Sequence, residues 1–276
     1  MNLLSRGLAI AGVGLFAACA STPEAGPPPP PPELTSQELN LRQSLTDFQL
    51  TFTGQLESEQ PATIEKANWE MVVEGNVVKS GEQPLNIEVT PGQPASFTLE
   101  ANGSYVGSAE ELKAMSERGG SLLTALRGDL LVRQGQATHK IPFARSREVR
   151  TPRLPTVRMG DLYPARYSDD EANITFYLRV MNPNPFPLRI QDLGYKIVVA
   201  DKQIADGTRA RGDAIDPAAM GEFDIQVSIN KETMGPDVRK LIKSATLPYK
   251  VEGELKGELF TVPYSLDGVV RLSSSQ

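Results

Sequence analysis

The sequence predicts a mainly β protein: two tandem antiparallel β-sandwich domains, each with one short α-helix. An internal repeat, apolar residues alternating with a period of two, and one helical stripe recurring at the same place in each copy predict it. Pro61, Ile64, Trp69, Gly81, Pro91, Phe97 and Leu99 fall opposite Pro187, Ile190, Tyr195, Gly207, Pro217, Phe223 and Ile225, every pair 126 positions apart. A constant offset implies two copies of one domain. Leu126, Gly128, Asp129 and Leu130 then match Val251, Gly253, Glu254 and Leu255 at 125, and Ile141-Pro142-Phe143 matches Val262-Pro263-Tyr264 at 121. The slips fall between matched blocks, where turns absorb length changes. What repeats is apolar and turn residues, so the repeat speaks for architecture and not for shared chemistry.

The first nineteen residues read as an address. Arg6 precedes the apolar run Leu8 to Phe16 and then Ala17-Ala18-Cys19, the charged start, short hydrophobic core and small-residue cleavage site of a secretory signal. The run is too short to span a bilayer. Ending on the chain's one cysteine, it resembles the lipobox of bacterial lipoproteins, with residues 1–18 as signal peptide and Cys19 as the lipidated residue. Ala20 follows, where an aspartate would suggest inner-membrane retention, so the resemblance implies the periplasmic face of the outer membrane. Residues 19–40 then form a tether, in which the unbroken row Pro27 to Pro32 fixes an extended polyproline II rod. At ~3.1 Å per residue, Ala20 to Ser36 reaches roughly 50 Å from the membrane.

Residues 41–150 form the first domain and residues 151–276 the second. Phe48, Leu50 and Phe52 alternate with Gln49 and Thr51, and Trp69, Met71 and Val73 follow the same period. The second copy is clearer, with Ile174, Phe176, Leu178 and Val180, then Phe223, Ile225, Val227 and Ile229. Asp206-Gly207, Asp216-Pro217 and Asp267-Gly268 read as turns between strands. One helix interrupts each copy. Ser108 is its N-cap in the first, with Glu111 three residues on, Leu112 and Met115 facing inward and Gly119-Gly120 ending it. In the second, Pro236 sits near the start and Val238, Leu241 and Ile242 recur at helical spacing. Each stripe is expected to cover an open end of its own sandwich.

Composition excludes several function classes. With 28 basic and 34 acidic residues, a net charge of −6, the chain lacks the positive field that nucleic acid requires. With the one cysteine used by the anchor, no intramolecular disulfide forms and burial must hold the domains together. His139 is the one histidine, which excludes a catalytic triad and a multi-histidine metal site, and it reads as a satisfied surface residue. Asp169-Asp170-Glu171 reads as a solvated charge run, because no glycine-containing calcium loop follows. Arg127-Gly128-Asp129 and Arg211-Gly212-Asp213 spell an adhesion tripeptide without structural context. No catalytic residue, metal ligand or cofactor site is expected.

The sharpest local motif is Asn182-Pro183-Asn184-Pro185-Phe186-Pro187, directly after a strand. Its prolines remove amide donors while Asn182 and Asn184 can bridge the loop backbone, which makes a rigid crossing between sheets. With Ile190 and Tyr195 to Val199 beyond it, this stretch resembles the late embryogenesis abundant (LEA) type 2 family, whose module is also called the water stress and hypersensitive response domain. The resemblance spans Leu154 to Leu272; in the first copy Leu56 to Ala62 replaces the loop. It implies a small sandwich with one helix and no catalytic residues, in a family associated with desiccation and other stress. The expected function is therefore a non-enzymatic, membrane-tethered binding or stress-protective lipoprotein of the envelope, whose partners are the membrane, through the lipid anchor, and an envelope protein or apolar ligand that the sequence does not name. The alternative is a carrier of an apolar or lipid ligand, for which Gly253 and Gly257 hint at space on inward faces.

Overall fold

The computed structural model describes residues 30–210 and 212–272. In the first copy a three-stranded sheet of order β1-β2-β5 faces a four-stranded sheet of order β4-β3-β6-β7. These strands are β1 (Glu33–Gln43), β2 (Asp47–Glu57), β3 (Ala62–Val73), β4 (Asn76–Val89), β5 (Ala95–Ser104), β6 (Ser121–Gln134) and β7 (Ala137–Arg150), with helix α1 (Ala109–Arg118) between β5 and β6. The second copy repeats this with β8 (Thr156–Arg166), β9 (Ala172–Met181), β10 (Asp192–Val199), β11 (Lys202–Ala210), β12 (Met220–Ile229), β13 (Thr246–Lys256) and β14 (Thr261–Arg271). Their orders, β8-β9-β12 and β11-β10-β13-β14, match the first copy strand for strand. Every pairing between these strands is antiparallel.

Alternation sorts the side chains into core and surface. Leu50, Phe52 and Leu56 on β2 are buried with Phe97 and Leu99 on β5, and the Phe52 ring lies 4.8 Å from that of Phe143. On β9, Ile174, Phe176, Leu178 and Val180 are fully buried, in the role expected of a half-buried antiparallel strand. In the first sandwich, side chains lace the gap between sheets: Arg145 and Arg147 donate to the carbonyls of Gln37 and Leu39, at 3.2 and 2.9 Å. Blocking edge carbonyls this way denies them to a foreign strand.

Three sequence expectations need correction. β1 begins at Glu33 and pairs with β2 along its length, so the tether drawn as residues 19–40 ends before Glu33 and the first domain starts ahead of residue 41. Asp206-Gly207 and Asp267-Gly268 are not turns. Gly207 lies within β11 opposite Tyr195, and Gly268 within β14 opposite Tyr249. In each case a tyrosine ring lies across the glycine, its nearest ring carbon 3.1 Å from where a Cβ would stand for Tyr195 and 2.7 Å for Tyr249. These glycines make room for rings. Asp216-Pro217 is a turn, closed by Ala219 N–H donating to the Asp216 carbonyl at 3.2 Å. The second copy's helix is two pieces, α2 (Lys231–Met234) and α3 (Val238–Lys243), separated by Gly235, Pro236 and Asp237. Asn230 and Thr233 form a capping box on α2.

The matched glycines mark a close approach of neighbouring strands that both copies share. On β6, a Cβ at Gly128 would lie 1.9 Å from the Asn68 carbonyl oxygen; on β13, a Cβ at Gly253 would lie 1.9 Å from that of Gly194. Asn68 and Gly194 are themselves 126 positions apart. Close backbone approach therefore dictates glycine at both places.

Candidate functional site: the Asn-Pro-Asn loop at the domain junction

Loop residues after β9 alternate between inside and outside. Asn182, Asn184 and Phe186 are buried, while Pro183, Pro185 and Pro187 are exposed. The Asn182 side-chain amide reaches the carbonyls of Phe186, Ile215 and Asp216 at 2.8, 3.1 and 3.0 Å. Its Oδ1 accepts from the Asn184 backbone N–H at 3.0 Å and from Asn184 Nδ2 at 3.1 Å. Asn182 thus satisfies the Phe186 carbonyl and the Asn184 N–H, and adds a second donor to the Ile215 and Asp216 carbonyls, which already accept from the Leu188 and Ala219 amides. Asn184 turns its amide onward, accepting from Arg153 N–H and donating to the Arg153 carbonyl, both at 2.8 Å. A primary amide used this way imitates a strand neighbour for one residue of the linker.

That linker, residues 151–155, is held from the first sandwich too. Thr151 donates through its N–H and its hydroxyl to the Gly120 carbonyl, and Leu154 N–H donates to Ser116 Oγ of α1 at 2.8 Å. Gln43 donates to the Arg150 carbonyl at 2.9 Å and to the Tyr105 hydroxyl. Burial pushes the Tyr105 phenol up to about 12, against a smaller opposing effect of the Gln43 hydrogen bond. α1 starts as its sequence predicts, with Ser108 Oγ accepting from Glu111 N–H at 3.2 Å. Its apolar face goes elsewhere than expected: Leu112 and the preceding Val106 join the buried core of the second sandwich, and Leu45, Tyr105 and Met115 pack on that core. The first copy's helix therefore seals the neighbouring domain, whereas α2 and α3 bury Met234, Val238 and Ile242 in their own.

Arg153, Ser116, Gln43 and Tyr105 were invisible as site residues in the sequence. Their one available signal was proximity to the boundary between copies.

Other candidate residues disperse. Cys19 lies outside the described residues. His139 sits on β7 opposite Val132, and its Nε2 is buried with no hydrogen-bond partner among the described residues, which corrects the expectation of a satisfied surface histidine. Asp169 pairs with Arg166 and, at 3.7 Å, with Lys243; Asp170 pairs with Arg239, whose hydrogen bond holds its carboxyl below the usual range. Cations already answer this charge run. Arg127 pairs with Glu70 at 2.9 Å on the face of β6. Gly212 and Asp213 are exposed in a bend, and Arg211 lies outside the described residues. Among the described residues no group of three or more His, Cys, Asp or Glu side chains is placed to hold a metal ion.

The two glycines that hinted at a cavity are filled. Gly253 faces the Gly194 carbonyl and the Tyr264 hydroxyl, and Gly257 lies against the Phe260 ring, 2.1 Å from where its Cβ would be. Tyr264 Oη donates to the Gly194 carbonyl at 2.7 Å, and burial raises its phenol pKa. Backbone amides and carbonyls supply most of the junction's hydrogen bonds, an arrangement that holds the chains in place.

Residues 177–268, from within β9 to within β14, match the model of a family described as late embryogenesis abundant protein. No curated protein matches the chain. Among solved structures, the chain is similar to the solution structure of an Arabidopsis thaliana protein, with 16% identity and a TM-score of 0.35 over 45% of this chain and 88% of that one. It is also similar to a crystal structure of a protein from Archaeoglobus fulgidus, with 13% identity and a TM-score of 0.29 over 45% and 97%. A β-glucuronidase from Parabacteroides merdae is similar at 12% identity and a TM-score of 0.30, over 81% of this chain and 28% of that one.

Proposed function

We propose, from the match of residues 177–268 to the late embryogenesis abundant family model, that this protein is a non-enzymatic, lipid-anchored module of the cell envelope that supports tolerance of water stress by binding. The first sandwich serves in this reading as a divergent copy that carries the family domain away from the membrane. One observation supports it above others: Pro30, the first described residue, and the second sandwich sit at opposite ends of the first sandwich. The Pro30 carbonyl accepts from Gln134 Nε2 at 3.3 Å, at the end of β6 remote from the junction at Gly120 and Ser121. Between them runs the 14-residue strand β6, about 45 Å of extended chain. Attachment in this reading falls to Cys19, and among the described residues no helix is long and apolar enough to cross a membrane.

Metabolic labelling with a fatty acid, followed by membrane fractionation and survival of drying, tests the reading in cells carrying either the native chain or Cys19→Ser. The expected result is label and membrane location in the native chain alone, with drying survival reduced by Cys19→Ser. Equal labelling of both chains would overturn the anchor. Equal survival of cells with and without the gene would overturn the protective role.

A further inference from the structure

We propose that the outer face of the three-stranded sheet of the second sandwich, β8-β9-β12, is a binding surface for an extended, neutral saccharide chain. This goes beyond the tethered-module reading and does not depend on the anchor. Tyr163 on β8 is 62% exposed, and its ring meets that of Tyr177 on β9 edge to face, with centroids 5.3 Å apart. Tyrosine rings offer apolar faces to the C–H surface of a sugar and hydroxyls to its rim.

Around the pair lie groups suited to hydroxyls. Thr175 stands opposite Tyr163 and Gln226, Asp224 stands opposite Tyr177, and Asn173 stands one outward position further along β9. Among the described residues the side chains of Asn173, Thr175, Asp224 and Gln226 have no hydrogen-bond partner. An array of unoccupied amide, hydroxyl and carboxylate groups beside exposed rings selects for a ligand rich in hydroxyls, because such groups discriminate by the bonds they complete.

Charge narrows the ligand further. Arg179 is held between Asp161 at 2.8 Å and Glu222 at 3.0 Å. Among the described residues Arg158 and Arg179 share this face with Asp161, Glu222 and Asp224, a balance of one negative charge. A polyanion gains nothing here.

The first sandwich provides an internal comparison. Phe52 opposite Leu99 corresponds to Phe176 opposite Ile225, which sets the equivalence of β2 with β9. Thr53 then occupies the place of Tyr177, and Asn40, opposite Thr51, the place of Tyr163. Both copies share the fold, so the fold does not require tyrosine at these outward positions. The rings belong to the second copy's own task.

Calorimetric titration of the full chain carrying Cys19→Ser tests this, with a β-1,4-linked N-acetylglucosamine hexamer and cellohexaose as probes. Saturable binding of at least one probe is expected, weakened tenfold or more by Tyr163→Ala and by Tyr177→Ala and unchanged by Asn40→Ala. Tyr163→Leu keeps apolar bulk without a flat ring and is expected to lose binding equally, at an unaltered melting temperature. Which hexamer binds tells whether acetamido groups contribute. Binding of neither, or binding that survives the tyrosine substitutions, would overturn the proposal.

Discussion

Asn184 holds Arg153 from both sides: its amide oxygen accepts the Arg153 N–H and its amide nitrogen donates to the Arg153 carbonyl, each at 2.8 Å. Asn184 is itself almost fully buried. Replacement by alanine strips two partners from one linker residue at once, and each buried group left unsatisfied costs about 1–3 kcal/mol. Asn184→Ala is expected to lower unfolding stability by about 2–4 kcal/mol on that basis and to speed proteolytic cleavage within residues 151–155. Denaturant titration and limited proteolysis check this. Unchanged cleavage would mean that Thr151 and Leu154 hold the linker without it.

Gly253→Ala is expected to destabilise the second sandwich by about 2–3 kcal/mol, since the new Cβ would meet the Gly194 carbonyl oxygen at 1.9 Å and backbone cannot step aside as a side chain can. Gly128→Ala should act alike on the first sandwich, through Asn68. Gly75→Ala is the control: φ is +81° but nothing lies within 4 Å, so its cost is backbone conformation alone, of the order of 1 kcal/mol. Thermal melting of the three variants ranks them. Equal losses would show that conformation, and not close approach, sets the need for glycine at Gly128 and Gly253.

Much of this architecture was legible because strands and their glycines repeat. Gly81 and Gly207 lie in register with Trp69 and Tyr195, and Gly128 and Gly253 with Phe143 and Tyr264, so the self-match followed real cross-strand pairs. Periodicity of two located Phe176 and Ile225 in the core for the same reason. What could not be read is what depends on neighbours remote in sequence. Gly207 and Gly268 looked like turns because composition cannot show a tyrosine ring lying across them. Leu112 showed an apolar stripe but not which core it enters, since a stripe predicts burial and not the burying partner. Asn184 was identified as a loop bridge within its own copy; its bond to Arg153 crosses to a linker whose residues carry no pattern of their own.

Leu112 is fully buried and sits in the core of the domain that follows its own. Leu112→Ala is expected to cost about 2–5 kcal/mol, as for other large-to-small core changes, and to lower protection of the second sandwich. The one tryptophan, Trp69, reports the first sandwich by fluorescence, while hydrogen exchange at Val251 reports the second. In the native chain the two probes should give coincident transitions, the mark of one cooperative unit. If Leu112→Ala left exchange at Val251 untouched, α1 would be a passive neighbour of that core.

Tyr105 gives the junction a dependence on alkaline pH. Its phenol ionises near 10 in an unfolded chain and is pushed up to about 12 in the folded one, chiefly by burial and further by Asp47. The folded state thus favours the neutral phenol. That contribution is complete below pH 10 and is lost as pH rises from about 10 toward 12, because the unfolded chain releases its proton first. Tyr105→Phe removes the ionisable group while keeping the ring that packs 5.0 Å from Phe48. Stability measured by denaturant titration between pH 8 and pH 12 should therefore fall less steeply above pH 10 in Tyr105→Phe than in the native chain. Parallel curves would show that the hydroxyl stays accessible to water and that other groups drive the alkaline loss.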